Sequence, residues 1–152
     1  MRLALYQPDI PQNTGTILRL AACMAIPVDI IEPCGFVWSE TRMRRAGMDY
    51  IDQVSVKRHI SWEKFQSSRQ ESERLILLTT HAATPFTSFD FQTGDTLLLG
   101  RESAGAPPEV HEAAAGRVVI PMAPDARSLN VALAAAMVLA EALRQTGGFP
   151  KY

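Results

Sequence analysis

The chain is short of several things, and each shortage narrows what it does. It has two cysteines, Cys23 and Cys34, in 152 residues. They form no CxxC pair, and His59, His81 and His111 make no ligand spacing with them or with carboxylates. Neutral thiols in a reducing compartment are expected, with no disulfide framework and no metal site. There is little charge of one sign: the formal net charge is −1. That gives no general pull toward nucleic acid, so any RNA would be held by a local basic patch. No apolar run reaches the ~18 residues of a membrane span. The apolar part of Met1 to Pro8 is too short for a signal peptide and reads as a first strand. The expectation is a cytoplasmic protein.

Three common active-site signatures are also missing. GxGxxG follows no candidate strand, so nicotinamide binding is disfavoured. Gly100 and Gly105 have the glycine spacing of a phosphate loop. Ala106 and Pro107 stand where such a loop needs lysine and a hydroxyl, and Glu102 would repel phosphate. Ser103 lacks the glycine of a nucleophile elbow, since residue 101 is arginine. His111, the last histidine, precedes Asp125, which is the wrong order for the elbow enzymes.

What is present is alternation. At 47% hydrophobic, the chain can bury one core, and its length suits one domain, residues 1–152. Strands are predicted at 3–6, 28–31, 54–56, 75–79, 96–99 and 118–120. Helices are predicted from Asn13 as N-cap, over 41–46 capped by Ser39 and closed by Gly47, and from Ser61 to about 69. Two more are predicted from Pro107-Pro108 to near Gly116, and from Ser128 to Gly147-Gly148. Strand–helix alternation predicts an α/β fold, a mostly parallel sheet with helices on both faces. The last helix has one charged residue, Glu141, between Leu129 and Leu143. It reads as buried nearly all round, which in a small chain suggests a subunit interface.

Three motifs lie where strands end and helices begin, the usual place for ligands in open sheets. They are Asn13-Thr14-Gly15 with Arg19, Gly100-Arg101-Glu102-Ser103-Ala104-Gly105, and Ile120-Pro121-Met122 leading to Ser128-Leu129-Asn130. Leu78, Leu99, Ile120, Met122 and Leu129 supply apolar walls that suit an adenine ring with an uncharged tail. Each of these residues alone could equally be core.

Together the motifs resemble the SPOUT methyltransferases. The match also takes in Leu5-Tyr6-Gln7-Pro8-Asp9-Ile10-Pro11-Gln12, Ile30-Ile31-Glu32-Pro33 and Arg44-Arg45-Ala46-Gly47-Met48-Asp49-Tyr50, and so covers nearly the whole chain. The resemblance implies a C-terminal trefoil knot, an obligate homodimer and S-adenosylmethionine as methyl donor, with no metal. It implies transfer to the ribose 2′-hydroxyl of the wobble nucleotide, cytidine or uridine, in a tRNA anticodon loop. By that resemblance Leu78, Gly100, Glu102, Ile120, Ser128 and Leu129 contact the donor. Asn13, Arg19, Ser128 and Asn130 fall among the catalytic or substrate-contacting groups. Arg19 acts as base or, as its high pKa favours, steadies a nascent alkoxide or grips a phosphate. Arg42, Arg44 and Arg45 are candidate RNA contacts, as is the run Lys57-Arg58-His59, with Phe36, Trp38 and Tyr50 nearby for stacking. Polar positions common in such enzymes are Ala132, Ala135 and Ala140 here, and the C-terminal extension is short, ending at Tyr152. The rival readings are a non-catalytic RNA-binding homologue, a ribose methyltransferase for another RNA site, and a generic nucleotide-binding module.

Overall fold

The computed structural model describes residues 1–45 and 50–151. Six strands form one parallel sheet: β1 (Arg2–Tyr6), β2 (Val28–Ile31), β3 (Val56–His59), β4 (Leu75–Leu78), β5 (Thr96–Leu99) and β6 (Gly116–Val118), in the order β3-β2-β1-β5-β4-β6. All five pairings are parallel. Among the described residues, five α-helices accompany the strands: α1 (Pro11–Cys23), α2 (Glu40–Arg45), α3 (Trp62–Ser68), α4 (Pro108–Ala113) and α5 (Val131–Thr146), which follows the last strand.

The sheet is covered on both faces because its central strands are apolar on both. From β1, Leu3 and Leu5 enter a core with Ile17 and Leu18 of α1 and Val138 and Leu139 of α5. Ala4 and Tyr6 enter the other core, with Trp62 and Phe65 of α3 and Val110 of α4. Each buried leucine or valine contributes roughly 1.5–3 kcal/mol. The mostly apolar sequences of β1, β2, β4 and β5, interrupted in β2 by Asp29, are what make these strands legible.

The differences from expectation have local causes. α1 begins at Pro11, not Asn13, because proline fits the first helical position, where no N–H is needed. β3 runs over 56–59, not 54–56; it is an edge strand that exposes Lys57 and Arg58, so it carries no apolar run. β6 runs over 116–118, and Val119 beyond it turns to pair with Pro85. α5 begins at Val131 with Asn130 as cap, not at Ser128: Asn130 Oδ1 accepts from the amides of Ala132 at 2.9 Å and Leu133 at 3.3 Å. Ser39 and Ser61 cap α2 and α3 as expected. The predicted closure of α2 at Gly47, and Ala46 before it, lie outside the described residues.

Two expectations about burial change. α5 is not buried all round in the single chain. Ala135, Val138, Leu139 and Ala142 face the core, while Leu133 is 58% exposed and Met137 42% exposed. His59 does not belong to a surface basic run. It is buried, with Nε2 at 2.7 Å from Oδ1 of buried Asp29, and Arg2 Nε donates to the other Asp29 oxygen at 2.8 Å. A carboxylate inside an apolar strand is tolerable because both its oxygens are partnered.

Candidate functional site

The strand order reverses at β1, which sits between β2 and β5. The loop leaving β1 and the loop leaving β5 therefore meet at the carboxyl edge of the sheet, where open α/β sheets place their ligands. A cavity of about 530 Å³ lies there, between the ends of β4, β5 and β6 and the start of α5.

Every residue expected to contact a donor lines it: Leu78, Gly100, Glu102, Ile120, Ser128 and Leu129. Asn13 and Asn130 line it as well. Asn130 Nδ2 donates to Asn13 Oδ1 at 2.9 Å, so one side chain both caps α5 and ties it to α1. Ser128 stands free of the capping role. Leu99 and Met122 add apolar lining.

The glycine loop of residues 100–105 is a tight hairpin. Arg101 N donates to Gly105 O at 3.0 Å and Gly105 N returns to Arg101 O at 2.8 Å. A Cβ on Gly100 would lie 2.7 Å from the Gly105 carbonyl carbon. Gly105 has φ +65°, a conformation that disfavours side chains. Sterics thus explain both glycines without a phosphate.

Asp9, from the β1 loop, clamps this hairpin. Its amide donates to Glu102 Oε2 at 2.9 Å, and its Oδ1 accepts from the Glu102 amide at 3.2 Å. The Ser103 hydroxyl donates to Oδ2. Hydrogen bonding to the Glu102 side chain, then to Ser103 and the Glu102 amide, holds the Asp9 carboxyl down to about 2. Burial, and then the bond to Asp9, push the Glu102 carboxyl up. Glu102 therefore takes a proton more readily than Asp9, and its second role is that of a structural anchor.

The candidate RNA-binding arginines are elsewhere. Arg19 does not line the cavity; it is exposed, with its guanidinium 4.9 Å from the Tyr50 ring centroid. Arg42 and Arg45 lie exposed on α2, away from the cavity lining. Arg44 there makes a two-pronged pair with Asp52, at 2.8 and 2.6 Å. The cavity also contains Thr79, His81 and His111, to which the sequence gives no site role, and Ile10 and Arg101 from within the motifs. The signal for Thr79 and His81 was their place directly after β4. His111 had none, because a lone histidine on a short helix carries no pattern. Among the described residues, no three His, Cys, Asp or Glu side chains converge to hold a metal. Burial raises the Cys34 thiol to about 11, which makes it unreactive at neutral pH. None of the helices among the described residues is long and apolar enough to cross a membrane.

The model of the SpoU rRNA Methylase family matches residues 1–140, which include all three loops of the cavity. The chain belongs to the SpoU methylase family. Among SpoU methylases it is 59% identical to the tRNA (cytidine(34)-2'-O)-methyltransferase of Beijerinckia indica, over 98% of this chain and 94% of that protein. A solved structure described as "Structural insights into the 2-OH methylation of C/U34 on tRNA" superposes with a TM-score of 0.90 at 38% identity, covering 95% of this chain and 94% of that one. The SpoU methyltransferase AviRb from Streptomyces viridochromogenes, in complex with the cofactor AdoMet, has a TM-score of 0.81 at 26% identity, covering 95% and 60%. The SpoU fold thus accounts for the six-stranded parallel sheet and its flanking helices.

Proposed function

We propose that this protein transfers a methyl group from S-adenosylmethionine to the ribose 2′-hydroxyl of nucleotide 34, cytidine or uridine, in the anticodon loop of tRNA. One observation carries the reading. A tRNA (cytidine(34)-2'-O)-methyltransferase is 59% identical over 98% of the chain, a span that includes every loop of the cavity.

The cavity fits the donor. Its size falls within the range of small-molecule sites. Leu78, Leu99 and Ile120 offer flat apolar contact for adenine, and the strand-end backbone around Gly100 offers polar groups beside it. Glu102, the one carboxylate among the lining residues, tolerates a cationic sulfonium. Once bound, the donor supplies an activated methyl group on positively charged sulfur.

The chain's own residues then have two tasks. The first is alignment, because an in-line displacement is accelerated mainly by holding the oxygen opposite the departing sulfur. Ser128, Asn13 and Asn130 edge the cavity at the start of α5 and orient the hydroxyl by hydrogen bonds. The second is charge stabilisation as the hydroxyl loses its proton. Arg19 is suited to this by its fixed positive charge and unsuited to act as a base.

Arg19 does not reach the cavity of its own chain, and this is the geometric argument for a homodimer. The exposed stripe Leu133 and Met137 on α5 forms the seam, and Arg19 of one copy serves the cavity of the other. The protein acts in the cytoplasm as a single SPOUT domain, and its C-terminal segment threads a loop to make the trefoil knot. Arg42 and Arg45, with Arg44 beside them, hold backbone phosphates of the anticodon stem.

The test is incubation with S-adenosylmethionine and unmodified tRNA, followed by nucleoside mass spectrometry. A 2′-O-methyl group on nucleotide 34 is expected; methylation elsewhere, or none, refutes the reading. Arg19→Ala is expected to abolish turnover while donor affinity stays within about threefold. Equal loss of both removes Arg19 from the chemistry.

A further inference from the structure

We propose that Trp38 and Arg58 form a stacking bed for an unpaired base of the RNA substrate, a base other than the nucleotide being methylated. The RNA itself rests on the proposed function; the bed rests on the observations that follow.

Among the described residues, the two most exposed large apolar side chains are Val37 at 76% and Ile60 at 73%. Neither belongs to the cavity or to the α5 stripe. Val37 immediately precedes Trp38 in the loop after β2, and Ile60 lies two residues beyond Arg58 at the exit of β3. The Arg58 guanidinium sits 5.1 Å from the Trp38 ring centroid, and Phe36 stacks on Trp38 with centroids 6.4 Å apart and planes 24° apart. Glu32 pairs with Arg58 and fixes its plane, yet 45% of the Arg58 side chain stays exposed. A partly exposed planar cation over a half-buried indole, bordered by bare apolar groups, is the arrangement on which unstacked RNA bases settle.

The bed and the cavity share the carboxyl edge of the sheet. Three strand spacings separate β2–β3 from β5–β4, about 15 Å. A single-stranded loop of a few nucleotides spans that distance. The bed is also rigidly joined to the cavity. Gly35 of the same loop donates its amide to Pro8 O at 2.9 Å, and a Cβ on Gly35 would lie 2.5 Å from the Asp9 Cβ. Asp9 in turn grips the glycine hairpin.

The test uses Trp38→Ala, Trp38→Phe and Arg58→Gln with an anticodon stem-loop RNA and a set of versions with one abasic loop nucleotide each. KM, kcat, donor affinity and thermal midpoint are measured. Trp38→Ala is expected to raise KM about 5- to 150-fold, the range that base–aromatic stacking commands, with kcat and donor affinity nearly unchanged. Trp38→Phe retains most of the affinity. The Trp38→Ala penalty is expected to vanish on the one abasic RNA that lacks the stacked base, and Arg58→Gln shows the same dependence at smaller amplitude. A KM within twofold of the parent, or an equal penalty on every abasic RNA, overturns the proposal; the second result also covers a merely structural tryptophan. If the parent methylates none of the RNAs, the proposed function fails. The bed is then read from Trp38 fluorescence in a Trp62→Phe background: quenching on RNA binding supports it, and unquenched binding or no binding overturns it.

Discussion

Removing the Asp9 carboxylate tests whether the glycine hairpin is shaped by its own sequence or held from outside. Asp9→Ala deletes the acceptor of the Glu102 amide and of the Ser103 hydroxyl and leaves the Asp9 amide bond to Glu102 in place. The Asp9 carboxyl is lowered from 3.8 to about 2, which corresponds to about 2.5 kcal/mol if the whole shift reflects folding. Its side chain keeps 17% exposure, so solvent screening reduces this to about 1–2 kcal/mol. A depressed acid stabilises above its unfolded value and loses that contribution as pH falls through its folded value. The Asp9 contribution is therefore whole at pH 7 and disappears between about pH 4 and 2. Glu102, raised by burial, acts oppositely: its protonation on mild acidification relieves a cost. The assay is calorimetric titration with S-adenosylmethionine at pH 7. Asp9→Ala is expected to bind about 5- to 30-fold more weakly, because a loosened hairpin must be reordered by the ligand. Asp9→Asn, which keeps one acceptor, falls between. A folded Asp9→Ala protein that binds the donor within twofold of the parent would refute the clamp.

Gly100→Ala places a methyl 2.7 Å from the Gly105 carbonyl carbon and 2.9 Å from the Ala106 nitrogen. Backbone must move, at about 1–3 kcal/mol, and donor affinity should fall at least tenfold; unchanged binding would show the hairpin to be pliable. Leu133→Glu alters a side chain that is 58% exposed in the single chain. Secondary structure should persist while sedimentation shifts from dimer to monomer and turnover falls. A parent that sediments as a monomer would dismiss the seam.

The parts of this molecule that could be read from the sequence are those where one physical demand acts alone. β4 and β5 are buried on both faces, so Leu75 to Leu78 and Thr96 to Leu99 contain nothing that belongs at a surface. The cavity residues were legible because they stand where strands stop, a place fixed by chain order. Edge strand β3 was harder, since its exposed Lys57 and Arg58 serve solvent and its Val56 serves the core. The helix starts were misplaced where two residues competed to begin them. Pro11 displaced Asn13, and Asn130 displaced Ser128, because Asn130 meets Asn13 across 117 residues of chain, a partnership no local window contains. The buried Asp29–His59 contact is of the same kind: His59 reads as part of a basic run until its pairing with Asp29 on the neighbouring strand is seen. Arg19 marks the limit on the functional side. Its motif was readable, but its direction depends on which turn of α1 faces the core, and that face is filled by Ile17, Leu18 and Ala21.

That bridge between Asn13 and Asn130 also bears on biosynthesis. The two residues lie 117 apart in the chain, so the first helix is made well before its partner residue. Until the segment that carries Asn130 has emerged, the cavity has no wall on that side. Closure of the cavity therefore waits on the segment that carries Asn130, and a chain that stops short of it lacks that wall.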